Sequence, residues 1–372
     1  MMVPTAFIYH EDFLKHNTGK QMYRLPSGHS MDVGLEFENG KRVAYIKDML
    51  EKTGLLEHMK HVLPYEAAEE DLLRVHTQRH INDMRKKCQE GVRLLGSEVY
   101  GCQDSERIAR LSAGGAMKAV DIVCNELEPI NQAYALIRPP GHHAGANHAE
   151  GFCIYNNAAV AARYAIEKYP LKRVAIIDWD VHHGNGTQEI FYSQNQVLFM
   201  SIHEENYFPL YSGQLEEIGE GDGRGYNVNI PLPSGTGSAG YNIVFDHLID
   251  PIIQQYQPDL IIVSAGQDPN GLDPLSRMRV MRPGFQAMAG KVREMASATS
   301  NARLVVLQEG GYSLPYLPIA TLGVIEGMTN MYTEFQDPHG IPESPITDEC
   351  LNSIEKCRMI LSHNWNMQKE RV

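Results

Sequence analysis

Asp178-Trp179-Asp180-Val181-His182-His183-Gly184-Asn185-Gly186 places two carboxylates and an imidazole at alternate positions. In an extended segment, residues two apart point the same way, so Asp178, Asp180 and His182 are expected on one face. Carboxylates crowded together repel and lose solvation unless a cation sits among them. The pattern predicts a metal site without fixing the metal. A third ligand is expected from another strand end. Asp268, which follows Ile261-Ile262-Val263-Ser264-Ala265-Gly266-Gln267, is the natural candidate. Asp273, in Leu272-Asp273-Pro274, competes with it but reads better as a turn or cap residue. Asp180, His182 and Asp268 together leave a position for water and substrate, as a catalytic site requires.

Two further clusters carry chemistry. Arg138-Pro139-Pro140-Gly141-His142-His143 reads as a rigid loop presenting two imidazoles, the usual acid–base groups near neutral pH. Beyond it, Glu150-Gly151-Phe152-Cys153-Ile154-Tyr155-Asn156-Asn157 leads into an Ala-rich helix. In Glu309-Gly310-Gly311-Tyr312, two glycines allow a sharp bend that could aim the Tyr312 hydroxyl into the site. Taken singly, a His pair is more often a loop feature, and Gly-Gly-Tyr a turn with a packed aromatic. Their joint occurrence with Asp178-x-Asp180-x-His182, each beside an expected strand end, favours chemistry.

Other features favour structure. Gly219, Gly221, Gly223 and Gly225 precede the extended-looking Tyr226 to Pro231, whereas a phosphate loop needs a helix there. Arg85, Lys86 and Lys87 read as a solvated helix face. His58, His61, His76 and His80 read as surface residues without obvious partners. Cys153 reads as a small packed thiol.

The elements that position these groups are legible as apolar runs. Val174 to Ile177, Val197 to Met200, Leu260 to Val263 and Leu304 to Leu307 suit strands buried on both faces of a parallel sheet. Functional groups in such sheets collect past the carboxyl ends of the strands. Helical spacing links Tyr241, Val244, Phe245, Leu248, Ile249, Ile252 and Ile253, with Pro251 expected to kink or shorten the helix. A second stripe runs through Phe285, Met288, Ala289, Val292, Met295 and Ala296, and Asn157 to Lys168 is helix-prone. Alternating strands and helices predict an α/β fold with a central parallel sheet and helices on both faces. Asp337-Pro338-His339-Gly340 and Pro342 to Pro345 read as loop, and Thr347 to Leu361 as a last helix packing back. No boundary divides the chain, so residues 1–372 are read as one domain with 337–372 as a C-terminal extension.

Composition narrows the classes. The 372 residues are 43% hydrophobic and 21% charged, enough to bury a core. Lys plus Arg is 33 against 46 Asp plus Glu, a formal charge of −13, which argues against direct nucleic-acid binding. None of the six cysteines forms a CxxC pair. With no signal-peptide pattern and no apolar run long enough for a span, a reducing, cytoplasmic setting and no membrane partner are expected.

The motifs occur in the order seen in zinc-dependent histone deacetylases. The chain resembles a bacterial member of their class II group, close to histone deacetylase-like amidohydrolases and acetylpolyamine amidohydrolases. The likeness runs from near Phe7 to near Gly323. It implies the arginase/deacetylase-type fold and a Zn2+ held by Asp180, His182 and Asp268, a ligand set that also suits Fe2+. It implies a structural K+ near Asp178, Asp180, His182, Ser201 and Ile202, and a second near Phe191, Val197 and Tyr226. An acyl-lysine tunnel would be walled by Gly151, Phe152, an aromatic from Tyr207-Phe208, and Leu275. His143 would act as general base, His142 with Asp178 would tune the electrostatics, and Tyr312 would hydrogen-bond the oxyanion. Asn185 stands where class I relatives carry Asp, leaving the neighbouring His less cationic. Gln267 stands where many class II relatives carry Phe. The implied reaction is hydrolysis of acetyl or other short acyl amides on lysine side chains of proteins or peptides, with acetylpolyamines as the alternative substrate. A catalytically silent acyl-lysine binding module would predict degraded His142, His143 or Tyr312. A ureohydrolase would need further acidic and His ligands. Assembly into a homo-oligomer is left open.

Overall fold

The computed structural model describes residues 2–19, 22–24, 30–32, 36–127, 130–339 and 341–367. Eight strands form one all-parallel sheet: β1 (Thr5–Ile8), β2 (Lys60–Val62), β3 (Gln132–Ala135), β4 (Val174–Asp178), β5 (Val197–Glu204), β6 (Asn227–Leu232), β7 (Leu260–Ala265) and β8 (Leu304–Gln308), in the order β6-β5-β4-β7-β8-β3-β1-β2. Every residue of β4, β5, β7 and β8 is buried, which requires cover on both faces. Helix α1 (Lys41–Lys52) packs against α6 (Leu317–Thr329), α2 (Ser105–Val123) lies on β1, β3 and β8, and α3 (Asn157–Lys168) lies on β4 and β7. Helix α4 (Asn185–Phe191) leaves the β4 loop, and α5 (Arg282–Thr299) packs on β7, β8 and α6.

The strand order places the chemistry. From β4 the chain moves outward through β5 and β6, then returns to put β7 on the other side of β4. The loops after β4 and β7 thus open beside each other at a switch point, where α/β sheets bind ligands. Register aligns Asp178 with Ser264 on β7 and with Ser201 on β5.

The four apolar runs are β4, β5, β7 and β8, and the extended stretch after the glycine run is β6. Pro231 is tolerated because β6 is an edge strand. The stripe from Tyr241 to Ile253 is buried throughout. Pro251 does not end its helix. The segment is α-helical over Ser238–Val244, widens into a π turn at Phe245–Ile249, and resumes as α over Asp250–Tyr256 with Pro251 in the first turn, where its missing N–H is least costly. Thr347 caps the last helix, α7 (Asp348–Leu361), by accepting from the Cys350 amide. Ser353 Oγ donates to the Pro231 carbonyl (2.8 Å) and Trp365 Nε1 to Gly225 (3.0 Å), docking this segment on the β6 edge. Gly340 of the expected loop lies outside the described residues. No helix among the described residues is long and apolar enough to cross a membrane, and all six cysteines are free thiols.

One buried ion cluster ties the amino-terminal segment to the sheet's carboxyl end. Glu38 accepts from Arg138 Nε (2.6 Å) and Nη2 (2.9 Å) and from Arg42 Nη1 (2.9 Å), with all three side chains buried. Arg138 also donates to the carbonyls of Phe13 and His16, and Arg42 to those of Glu309 and Gly311. Burial alone would raise the Glu38 carboxyl, but Arg138 and Arg42 outweigh it and hold it at about 2. Because the folded value is depressed, this stabilisation is present above the ordinary value near 4.5 and fades as pH falls toward 2. Glu38→Ala leaves two guanidiniums buried and should lower the unfolding free energy by roughly 3–5 kcal/mol in urea titrations at neutral pH. A loss below about 1 kcal/mol would contradict that role.

Candidate active site

Strand β4 ends at Asp178, and the chain then bends. The alternation expected for Asp178, Asp180 and His182 therefore holds only for the first of them. The bend itself gathers the others. The Asp180 amide donates to Asp178 Oδ1 (3.1 Å) and the His182 amide to Asp180 Oδ1 (3.0 Å), so each carboxylate folds the chain around itself. His182 Nδ1 ends 3.0 Å from Asp180 Oδ1 and 3.3 Å from Asp268 Oδ2. The other oxygens are tied outward: Gly310 N donates to Asp180 Oδ2 (2.8 Å) and Val181 N to Asp268 Oδ1 (2.9 Å). Apart from that 3.3 Å approach of His182, Asp268 Oδ2 is buried with no hydrogen-bond partner among the described residues.

This donor set fits a divalent cation. Ligand atoms of Asp180, His182 and Asp268 lie within 4.8 Å of one another, all buried. Burial and the Asp180 charge push Asp268 up to about 7. Burial opposes charge on His182, yet Asp180 and Asp268 hold it up at about 10. Without a cation the cluster must take up protons, and a bound cation removes that need. Two glycines make room. A side chain on Gly266 would collide with the Asp180 carboxylate, and one on Gly310 with both Asp180 and Asp268.

The two histidines face the same centre with opposite character. His142 Nδ1 lies 3.0 Å from Asp178 Oδ2, and burial is outweighed by Asp180 and Asp178, which hold the imidazole up at about 10. His143 is pushed well below its ordinary value by burial and by the neighbouring His142. Its Nδ1 lies 2.8 Å from Asn185 Oδ1, and Asn185 Nδ2 donates to Glu150 Oε2 (2.7 Å). Glu150 thereby fixes the amide with its oxygen toward His143. His143 must then carry hydrogen on Nδ1, leaving Nε2 open as a proton acceptor. No local sequence signature marks Glu150 for this role. Glu309 Oε2 accepts from the amides of Gly141 (2.6 Å) and His142 (3.3 Å), so the third cluster anchors the second.

His76 and His80 are not surface residues. His76 Nδ1 meets Gly145 O (3.0 Å), Asn156 N donates to its Nε2 (2.9 Å), and His80 Nε2 meets Ile154 O (2.8 Å). Both are buried against Tyr155 and brace the loop between His143 and α3. His80 lies on the inner face of the helix Gln78–Gln89, and His76 sits just ahead of its Thr77 cap. His61 is exposed but reaches Leu56 O (3.0 Å). Arg85 pairs with Glu69, and Lys87 with Asp83. Cys153 is a fully buried thiol, raised by burial.

A cavity of about 700 Å³ opens to solvent above the centre. Gly151, Phe152, Phe208 and Leu275 line it, and it ends on His143, His182 and Tyr312. The Phe208 ring stands edge-on to His143 at 5.0 Å, and Phe152 lies 5.6 Å from Tyr312. Tyr207 stacks on His182 at 5.7 Å. The Arg42 guanidinium lies 4.8 Å from the Tyr312 ring centre, and the hydroxyl makes no hydrogen bond to a described residue. Gln267 is fully buried, taking a hydrogen bond from Gln308 (2.7 Å) and donating to Ala265 O (2.9 Å). Ser201 lies beside Asp178 on β5 with its Oγ 2.9 Å from His203 Nδ1, and Ile202 follows it, buried. The carbonyls of Phe191 and Tyr226 accept from Gln194 and Phe199, while Val197 opens β5 opposite Val174.

A family model described as "Histone deacetylase domain" matches residues 36–328. The chain is 39% identical over 338 residues to the histone deacetylase-like amidohydrolase of Pseudomonas aeruginosa, covering 90% of this chain and 88% of that one. It is 39% identical over 331 residues to a probable deacetylase of Archaeoglobus fulgidus, covering 87% and 86%. The crystal structure of the HDA15 HD domain superposes with a TM-score of 0.85 at 31% identity, covering 98% of this chain and 96% of that chain.

Gly310→Ala should push both carboxylates out of position. Purified in parallel, the variant is expected to carry less than half the tightly bound divalent metal of the unsubstituted chain, measured by plasma mass spectrometry. Equal metal content would contradict the role given to Asp180 and Asp268.

Proposed function

The chain belongs to the histone deacetylase family, a family of hydrolases acting on amide bonds, and from that premise we propose that it removes acetyl or other short acyl groups from N-acyl-lysine side chains. The observation that carries this reading is the cavity that ends on His143, His182 and Tyr312 together. In the proposal Asp180, His182 and Asp268 hold a divalent ion, Zn2+ or Fe2+. Such an ion supplies Lewis-acid chemistry toward an amide carbonyl and toward water. Asp178, Asp180, His182, Ser201 and Ile202 hold a structural K+, and a second lies near Phe191, Val197 and Tyr226. The whole chain works as one deacetylase domain, with 337–372 as an extension packed on it.

The side chains divide the proton work. Neutral His143 takes the proton of the attacking water at Nε2 and returns it to the leaving amine. His142 stays cationic beside Asp178 and lowers the cost of negative charge on the reacting carbonyl. Tyr312 donates its hydroxyl to the developing oxyanion. The walls formed by Phe152 and Phe208 exclude bulk water around the acyl chain.

Acetylpolyamine is the second reading, and Glu98 favours it. This carboxylate, exposed to solvent, lines the cavity with no ion pair or hydrogen bond among the described residues. Partial desolvation at the cavity wall and the Glu150 charge raise it. An ammonium further along a polyamine would supply the missing partner.

Tyr312→Phe should lower kcat on acetyl-lysine peptide by on the order of a hundredfold or more. Near-full activity would remove Tyr312 from the reaction. A panel of acetyl-lysine peptides, longer acyl-lysine peptides and acetylpolyamines, run with and without chelator, should show chelator-sensitive turnover, greatest for short acyl groups. Turnover indifferent to chelation would overturn the metal-dependent reading.

A further inference from the structure

Asp273 lies outside the metal ligands, yet its carboxylate is the most heavily used anchor near them. Oδ2 accepts from the amides of Tyr312 (2.7 Å) and Ser313 (3.1 Å) and from Asn270 Nδ2 (3.3 Å). Oδ1 accepts from the amide of Leu275 (3.0 Å). The side chain is 7% exposed. The loop it holds begins with Gly310 and Gly311, and Gly311 sits at φ +113°, where the backbone has wide freedom. Behind the Tyr312 ring lies Arg42, which bonds the carbonyls of Glu309 and Gly311 but not the Tyr312 backbone. The Tyr312 amide is therefore fixed from one side only, by Asp273.

We propose that Asp273 is a positioning residue that sets Tyr312 for the reaction while holding Leu275 of the tunnel wall in the same frame. The inference rests on the deacylase reading. An acceptor-only group is needed here, because three backbone N–H groups converge on it from two directions. Asparagine is isosteric but turns an NH2 toward at least one of them in either orientation. Released from Asp273, a Gly-Gly-Tyr turn samples conformations in which the hydroxyl misses the oxyanion, and small misplacements of that kind carry large rate costs.

The test is a double-mutant cycle in the full-length, metal-loaded enzyme, measuring kcat, KM and bound metal. Asp273→Asn is expected to lower kcat by about tenfold or more with bound metal unchanged. In a Tyr312→Phe background the same substitution is expected to lower kcat by less than about twofold, because the group it positions has already gone. Should Asp273→Asn not fold, Asp273→Ser, which keeps a smaller acceptor, takes its place in the same cycle. Equal losses in the two backgrounds, an Asp273 variant within about twofold of the unsubstituted kcat, or activity lost in step with metal would each overturn the inference. A fully active Tyr312→Phe enzyme would instead bring down the deacylase role of Tyr312, and this inference with it.

Discussion

Four carboxylates, Asp178, Asp180, Asp268 and Glu309, are fully buried at the carboxyl end of one parallel sheet. No arrangement of apolar packing makes that favourable by itself. Each charge taken out of water costs several kcal/mol unless positive charge or hydrogen bonds replace the solvent. Much of the surrounding structure supplies such compensation. Amides of Asp180, Val181, Gly310 and Gly141 are aimed at carboxylate oxygens. His142 and His182 are held cationic by the same field. The oxygen left over, Asp268 Oδ2, marks where a cation is needed.

That constraint also explains why the loops cannot be treated separately. Glu309 holds the backbone of the His142 loop, Gly310 holds Asp180, and Asp268 holds the bend at Val181. Arg42 binds the Glu309-Gly311 loop from behind, Arg138 ties the start of the His142 loop to the carbonyls of Phe13 and His16, and the two share Glu38. The positively charged layer under the site is as buried as the negative one, and within it Arg138 and Arg42 hold Glu38 ionised.

The parts legible from sequence were those with local signatures. Continuous apolar runs named β4, β5, β7 and β8, because strands buried on both faces leave no alternation. β3, Gln132-Ala133-Tyr134-Ala135, escaped because it is short and of mixed polarity, and its burial comes from neighbours far away in sequence. At the site, Asp180, His182 and Asp268 converge as their residue types suggested, although a bend and not strand alternation brings the first two together. Glu150, His76, Glu38 and Asp273 were missed or set aside as loop or surface residues. Glu150 and His76 act through one or two long-range hydrogen bonds to amide or backbone groups, Asp273 through the distant amides of Tyr312 and Ser313, and Glu38 through the distant Arg138 guanidinium, and nothing in local spacing announces such a partner.

The central claim is that the buried carboxylates demand a divalent cation in place of protons. It is tested most directly by calorimetric titration of Zn2+ into the chelator-stripped protein near pH 7, repeated in buffers of different ionisation enthalpy. The account predicts about one ion bound per chain with release of at least about one proton, since Asp268 and His182 hold protons that the ion displaces. It predicts loss of that binding in Asp268→Asn. Binding without proton release, or binding of equal strength in Asp268→Asn, would contradict it.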